Sequence, residues 1–480
     1  MMILALKEQM RLARIAKYGR GSEKLSDQQL ELLEFEPGVS NLEVAAESER
    51  EELPSTSDKT KGKHPGRQTL PANLPRVERV IVCTPEQCKC KGCGAETTLI
   101  GYDESEQLDV EPVKYFVLVT KREKRACRYC EERGVIAATL PTRIIEKSLV
   151  SDQVIIDAVI SKYSSHLPLY RQSVIFLRDA GIDISRATID GWVMRVGDLL
   201  TPLVGVMGRE LVGGSYIQAD ETPVDVQTRD GRQGNHHAFL WQYGTPGGAA
   251  VFEFRMGRGR DGPLRFLGDF EGILQTDAYA AYDRVGGPKM VHAACWAHAR
   301  RKFDEAIKLN KQDLVSTRIL VQIGKLFAID AHARDEHMNH ARRHALRLER
   351  APLVLAEIKT QIEAAGREAL PSSPLGKACS YTLRLWDKLV RFLDYPELEL
   401  SNNLAENSMR PIALGRRNWT HVGHVKAGPR VAAILSVVET CRRMNIPVRE
   451  YLAAVLPGLA NTSIQQLPEL TPTAWAAQHP

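Results

Sequence analysis

The first 35 residues carry apolar side chains at helical spacing, in LALKEQMRLARIAKYG and again in QQLELLEF behind the cap-like pair Ser26-Asp27. The repeat is too brief for a sustained coiled coil. From Glu36 to about Leu74 the pattern dissolves into polar, proline-rich sequence, acidic first (EVAAESEREE) and then basic (KTKGKHPGR), which is the composition of a disordered linker. Strand-like alternation returns in VKYFVLVTKREKRACRYC. From Ser151 to about Leu211 the spacing is helical, with LPLYRQSVIFLRDAG and DISRATIDGWVMRVGDLL separated by a turn at Gly181. With Ser185 as a cap, this is the outline of a helix-turn-helix.

After Gly214 the period changes to two. SYIQADETPVDV, HHAFLWQYG and AAVFEFR read as three strands joined by the hairpin connections RDGRQGN and TPGG. MGRGRDGPLRFLGDF then turns into a helix, and a short strand in GILQTDAYAAYD runs into another. Residues 296–397 read as helical almost throughout. The last part opens with SNNLAENSMRP, whose helix is expected to stop near Pro411, and ends in RVAAILSVVETCRRM. The expected fold class is multidomain α/β plus α. Its parts are a helical segment (1–35), a linker (36–78), a small cysteine-bearing domain (79–145), a helical region (146–212), an α/β core (213–425) with a helical insertion at about 300–397, and a helical C-terminal segment (426–480).

Composition adds limits to this picture. A chain of 480 residues suits about three domains. The net charge of +5 is too small for this length to prove a nucleic-acid partner, so local clusters must carry that argument. No apolar run reaches the roughly 18 residues of a membrane span, and the N-terminus is too charged to be a secretory signal. Six of the nine cysteines lie between Cys83 and Cys130, which points to metal binding in a reducing cytoplasm rather than to disulfides.

Cys90-Lys-Gly-Cys93 and Cys127-Arg-Tyr-Cys130 are two C-x2-C knuckles with 33 residues between them. Each knuckle brings two thiolates to one tetrahedral ion, so the pair predicts a structural zinc site. Cys83 and Cys88 are spare, and either can replace Cys90. Unliganded or redox thiols are the alternative. Lys121, Arg122, Lys124, Arg125 and Arg128 form a basic arm that reads equally as a solvated face or as a phosphate contact.

QADETPVDV places three acids in a strand, where acids are disfavoured. Alternation sets Asp220 on the face opposite Glu221 and Asp225, and Pro223 makes the far end a poor central partner. Asp277 sits at the end of the later strand. If the two strands are neighbours, Asp220 and Asp277 converge, and their repulsion calls for a divalent cation. As plainer readings, Asp277 caps the helix that follows and Asp220 is a strand-end acid. Glu406 is the best third ligand, on a helix capped by Asn402 or Asn403, with Arg410, Arg416 and Arg417 nearby to hold a phosphate backbone. A surface ion-pair partner is the ordinary alternative. Cys295 and His298 in CWAHARRKF read as core packing followed by a solvated basic helix rather than a metal half-site. His337, His340 and His344 read as solvated positions on one helix face. MGRGRDGP lacks the ending of a phosphate loop.

In order, the cysteine knuckles, the helical region, QADETPV, LQTDAYAAYD, CWAHARRKF and SNNLAENSMRPIALGRRNW resemble the large (TnpC-type) DDE transposase of the insertion-sequence-sixty-six family. KYGRGSEKLSDQQLELLEFE, RQTLPANLPR and LSVVETCRRMNIPVREYL extend the similarity from about Tyr18 to about Ala460. The resemblance implies a ribonuclease-H-like catalytic core in which Asp220, Asp277 and Glu406 match the family's three acids. Their spacings of 57 and 129 residues require a helical insertion before the third acid. It further implies two Mg²⁺ ions (or Mn²⁺), a structural Zn²⁺, and DNA as partner, with Arg186 of the second helix among the DNA-binding residues. The reaction would be strand nicking and strand transfer without a covalent protein–DNA intermediate. A homo-oligomer on DNA, accessory proteins of the same element and a cytoplasmic, nucleoid-associated location complete the expectation. Asn407 follows the last acid, where the family carries Arg or Asn. Related proteins begin with a longer zipper-like helix, so the oligomerising segment is expected to be short. The competing readings are a non-catalytic DNA-binding descendant and a nuclease without strand transfer.

Overall fold

The computed structural model describes residues 115–121, 124–126, 135–137, 139–228 and 234–479. The N-terminal helical segment, the linker and the four knuckle cysteines lie outside the described residues. Two short strands, β1 (Lys124–Ala126) and β2 (Val135–Ala137), pair antiparallel with Arg125 opposite Ile136. They bracket the second knuckle in sequence.

Three helices follow: α1 (Asp152–Tyr163), α2 (Leu169–Ala180) and α3 (Arg186–Val212). Gly181 ends α2 in the left-handed conformation (φ +67°), which costs a glycine little. Ser185 caps α3 by accepting from the Thr188 N–H at 3.1 Å. The helix–glycine–helix outline is therefore present.

The sheet holds β3 (Tyr216–Val226), β4 (His236–Gly244), β5 (Ala250–Arg255), β6 (Ile273–Thr276) and β7 (Val291–Ala294), in the order β5-β4-β3-β6-β7. The β5, β4 and β3 strands are antiparallel neighbours, whereas β3, β6 and β7 run parallel. Beyond Gln218, β3 leaves β6 and pairs with β4, and its last residue, Val226, adds one isolated parallel bridge to Val422, consistent with Pro223 in its far half. Helix α4 (Asp261–Leu267) connects β5 to β6. Helices α5 (Trp296–Leu309), α6 (Leu314–Asp335), α7 (His340–Glu368), α8 (Pro374–Arg384) and α9 (Trp386–Leu389) form the insertion. The chain then returns through α10 (Asn403–Trp419), α11 (Gly428–Arg443), α12 (Val448–Leu459) and α13 (Pro472–Gln478).

Three local readings differ from this. Val291–Ala294 is a fifth strand that its four residues are too few to announce. AYAAYD is no helix: Ala278 takes φ +67°, the Asp277 carboxylate accepts from the Tyr279 N–H at 2.8 Å, and only the 3-10 turn Ala280–Tyr282 follows. Helix α10 does not stop near Pro411 but runs on to Trp419. An interior proline costs about 3 kcal/mol, and burial of Met409 and Ile412 on either side of it offsets that.

Alternation along β3 divides its neighbours between two cores. Ile217 and Ala219 pack with α3, α11 and α12 side chains such as Val193, Leu200, Ile434 and Leu452. Tyr216 and Ile273 pack with Trp296, Phe303, Ile323 and Ile358 of the insertion. The edge strand β5 is closed by α11. Ser436 and Thr440, one turn apart, accept from the N–H groups of Phe252 (2.8 Å) and Ala250 (3.0 Å). Close approach of α3 to α11 needs Gly197, where an added Cβ would stand 2.6 Å from that of Arg430.

Candidate active site

The parallel register does the first part of the construction. Gln218 of β3 pairs with Gln275 of β6, so two further steps along both chains set Asp220 beside Asp277. Asp277 directly follows the carboxyl end of β6, and Asp220 lies just past the stretch of β3 that pairs in parallel with it, so both stand where the parallel part of the sheet ends and such sheets place their sites. The same register pairs Thr276 with Ala294 of β7, and one more step brings Cys295 beside Asp277.

Two buried glutamines sit behind the acids, each two residues before its aspartate and on the same face. The Gln218 side-chain N–H group lies 2.9 Å from the Gln275 Oε1, 2.9 Å from the Tyr216 hydroxyl and 2.9 Å from the Ser401 carbonyl. Gln275 donates to the Glu399 carbonyl at 2.7 Å. Residues 399–401 lead directly into α10, and the Trp296 N–H donates to the Leu400 carbonyl at 2.8 Å. These bonds fix the segment that presents Glu406 against the strands that present the aspartates. The repeated Gln-x-Asp was the available signal in the sequence; the reading of acids alone passed over it.

Glu406 lies on the first turn of α10, and α5 supplies its partners. Arg301 Nη2 donates to Glu406 Oε2 at 2.9 Å, and His298 Nδ1 stands 3.5 Å from Glu406 Oε1. Burial raises the Glu406 pKa, but His298, Arg301 and Arg410 outweigh it and hold the carboxyl below its usual range. Asp220 behaves oppositely. Burial first, then the charges of Glu406, Glu221 and Asp277, push its carboxyl well above the ordinary value. The three acids of the sequence reading therefore share one electrostatic neighbourhood. CWAHARRKF does more than pack and face solvent, since His298 and Arg301, one turn apart on α5, both turn toward Glu406.

On the opposite face of β3, the Glu221 side chain is 1% exposed, and Arg258 grips one of its oxygens at 2.6 and 2.9 Å. The Tyr282 hydroxyl donates to the other at 2.9 Å. Arg258 lies 4.0 Å from the Tyr279 ring centroid. This pair anchors the turn after Asp277 to the loop after β5, so Glu221 is a structural acid. Asp225 is an outlying one, paired with exposed His237 at 2.6 Å.

Of the arginines singled out beside the site, Arg410 is half-buried and acts on Glu406 by its charge. Arg416 is spent on the Thr222 hydroxyl (3.2 Å) and the Pro223 carbonyl (2.9 Å), tying α10 to β3. Arg417 and Arg186 are exposed. Of the histidines of the insertion, His337 and His340 are exposed as expected and His344 is half-buried, but the three do not share one helix face. His337 precedes α7, the His340 ring nitrogen takes Arg343 at 3.2 Å, and His344 donates to the Leu393 carbonyl at 2.8 Å.

Comparison with known proteins matches this architecture. Residues 147–430 match the family described as "Transposase IS66 family", residues 87–131 the "zinc-finger binding domain of transposase IS66", and residues 5–79 "Transposase C of IS166 homeodomain". The chain is 31% identical over 467 residues to Uncharacterized protein y4qI of Sinorhizobium fredii, covering 92% of this chain and 84% of that protein. It is 29% identical over 505 residues to Uncharacterized protein y4hP of the same organism, covering 98% and 89%. The zinc-finger match encloses Cys88, Cys90, Cys93, Cys127 and Cys130 and leaves Cys83 outside. No described helix is long and apolar enough to cross a membrane. The match spans the helices before the sheet, both aspartates, the insertion and Glu406, and the chain belongs to the IS66 family of transposases.

Proposed function

We propose that the chain cuts and joins the DNA of an insertion sequence, using Asp220, Asp277 and Glu406 in a ribonuclease-H-like core. The observation that carries this reading is the juxtaposition of Asp220 and Asp277 on adjacent parallel strands, with Asp220 held in an unfavourable ionic state by its own neighbours. The donor set fits Mg²⁺ or Mn²⁺, because three carboxylates are hard oxygen ligands and their crowded charge seeks a cation. Two such ions, when bound, supply activation of water and then of a 3′-hydroxyl for in-line attack at phosphorus. The chain's own residues hold and orient. The glutamine layer keeps the acids in register, and Arg301 and His298 keep Glu406 charged.

Around this centre, Arg410 and Arg417 would face a phosphate backbone. Arg416 has the narrower task of fixing α10. Helices α2 and α3, with Arg186 at the exposed start of α3, would recognise element ends together with the finger. Cys90, Cys93, Cys127 and Cys130 would hold its Zn²⁺, with Cys88 able to replace Cys90. Homo-oligomers on DNA, accessory proteins of the element and work in the cytoplasm at the nucleoid follow from the same reading.

Asp220→Asn is expected to abolish Mg²⁺-dependent nicking and strand transfer while end binding persists in a mobility-shift assay. Transposition at the wild-type level by this variant would overturn the assignment. Cleavage without joined products in the wild type would indicate a nuclease alone.

A further inference from the structure

Cys295 and His298 stand beside Glu406, and the proposed acid chemistry uses neither the thiol nor the imidazole as a ligand. Cys295 is 1% exposed at the start of α5, and the His298 side chain, one turn later, is 16% exposed. One ligand atom from each of the three lies within 4.8 Å of the other two. His298 Nδ1 and Glu406 Oε1 are both buried without a hydrogen bond, although they stand 3.5 Å apart. Two buried polar atoms left in this state are costly. Arg301 occupies the other carboxylate oxygen, so Oε1 is the one turned to the cluster. The Asn402 N–H points at Cys295 Sγ from 3.4 Å, a contact that favours the thiolate.

We propose that Cys295, His298 and Glu406 constitute a second cation site, for a borderline-soft divalent ion of the zinc class, and that its occupation withdraws Glu406 from the two aspartates. Thiolate, imidazole and one carboxylate make a donor set that suits Zn²⁺ or Co²⁺ and discriminates against Mg²⁺. The two negative ligands neutralise the ion, and three protein ligands leave a fourth position for water. Arginine only donates, so whenever the His298 imidazole is neutral, Arg301 Nη1, 3.4 Å from Nε2, leaves its proton on Nδ1. Binding moves that proton to Nε2 and releases this contact, while Arg301 keeps Glu406 Oε2. The inhibitory half of the proposal rests on Glu406 being the third acid; the binding half does not.

Cobalt titration of the full, zinc-loaded chain separates the two. Wild type and Asp220→Asn are expected to develop a thiolate-to-cobalt charge-transfer band that excess Mg²⁺ does not remove. Cys295→Ser and His298→Gln are expected to lose it, and since all four proteins share one finger, the difference reports on this site. Should Cys295→Ser misfold by circular dichroism, His298→Gln decides alone. An undiminished band in the folded variants would overturn the site, and so would loss of the band in Asp220→Asn, which would put the cation between the aspartates. Zn²⁺ beyond the finger's requirement is expected to suppress nicking by the wild type, and full activity with the cobalt site saturated would overturn the inhibitory half. If the wild type never nicks, the acid assignment fails while the cobalt result stands.

Discussion

On the proposed assignment, function and stability pull in opposite directions at Asp220. Its folded pKa is raised by burial and by three neighbouring carboxylates, so the group favours the folded state while protonated. That contribution is complete below the unfolded value near 4 and is lost as pH rises through the folded value. Asp220→Asn removes the penalty. In the absence of divalent cations it is expected to melt at a higher temperature than the wild type at neutral pH, with the difference shrinking toward pH 4. A constant difference across that range would show that the charge is compensated in the apo protein. Ala278 is a second sign of strain at this point, since a non-glycine residue at φ +67° costs about 1 kcal/mol, and it directly follows Asp277. Asp220 drew notice in the sequence because a carboxylate within a strand is anomalous. Arg301 and His298 were not, because an arginine-rich helix face looks the same whether it meets solvent or a glutamate contributed 105 residues later.

The insertion α5–α9 does more at the level of elements than lengthen the chain. Arg347 of α7 donates to Asp330 of α6 at 2.7 and 2.5 Å and to the Leu398 carbonyl at 2.7 Å, with both side chains almost fully buried. Arg343, one turn earlier, pairs with Glu399 at 2.7 Å. These bonds clamp the segment that the glutamine layer reaches from the other side. Asp330→Ala leaves a buried guanidinium unpaired and is expected to cost about 3–5 kcal/mol, read as a lowered urea midpoint with unchanged slope. A loss under about 1 kcal/mol would mean that water reaches Arg347. Element types were readable here from periodicity. The end of α10 was not, because Pro411 argues locally for a stop while the packing that overrides it comes from elements far away in sequence. Strand β7 was missed for a related reason: four residues carry too little alternation, and pairing with β6 decides.

Across the whole molecule, the sheet divides two cores whose chain segments interleave, so no single cut in the sequence separates them. Among the described residues, the changes of period at Gly214 and near Trp296 coincide with the start of β3 at Tyr216 and of α5 at Trp296. The finger stands on its cysteine motif and on the family match over residues 87–131, and the test of its ligands is compositional. Replacing Cys93 and Cys130 together by serine is expected to lower bound zinc by about one equivalent, measured by atomic emission on the purified chain. Unchanged zinc content would refute the four-cysteine site.

The glutamine layer has a consequence for a chain still emerging from the ribosome. Gln218 and Gln275 are synthesised early, but the carbonyls of Glu399 and Ser401 that they hold arrive more than 120 residues after Gln275. Until then the two aspartates have no Glu406 beside them and no anchored α10. On the proposed assignment, a product that stops before Glu406 would lack the third carboxylate and could not form the cutting centre.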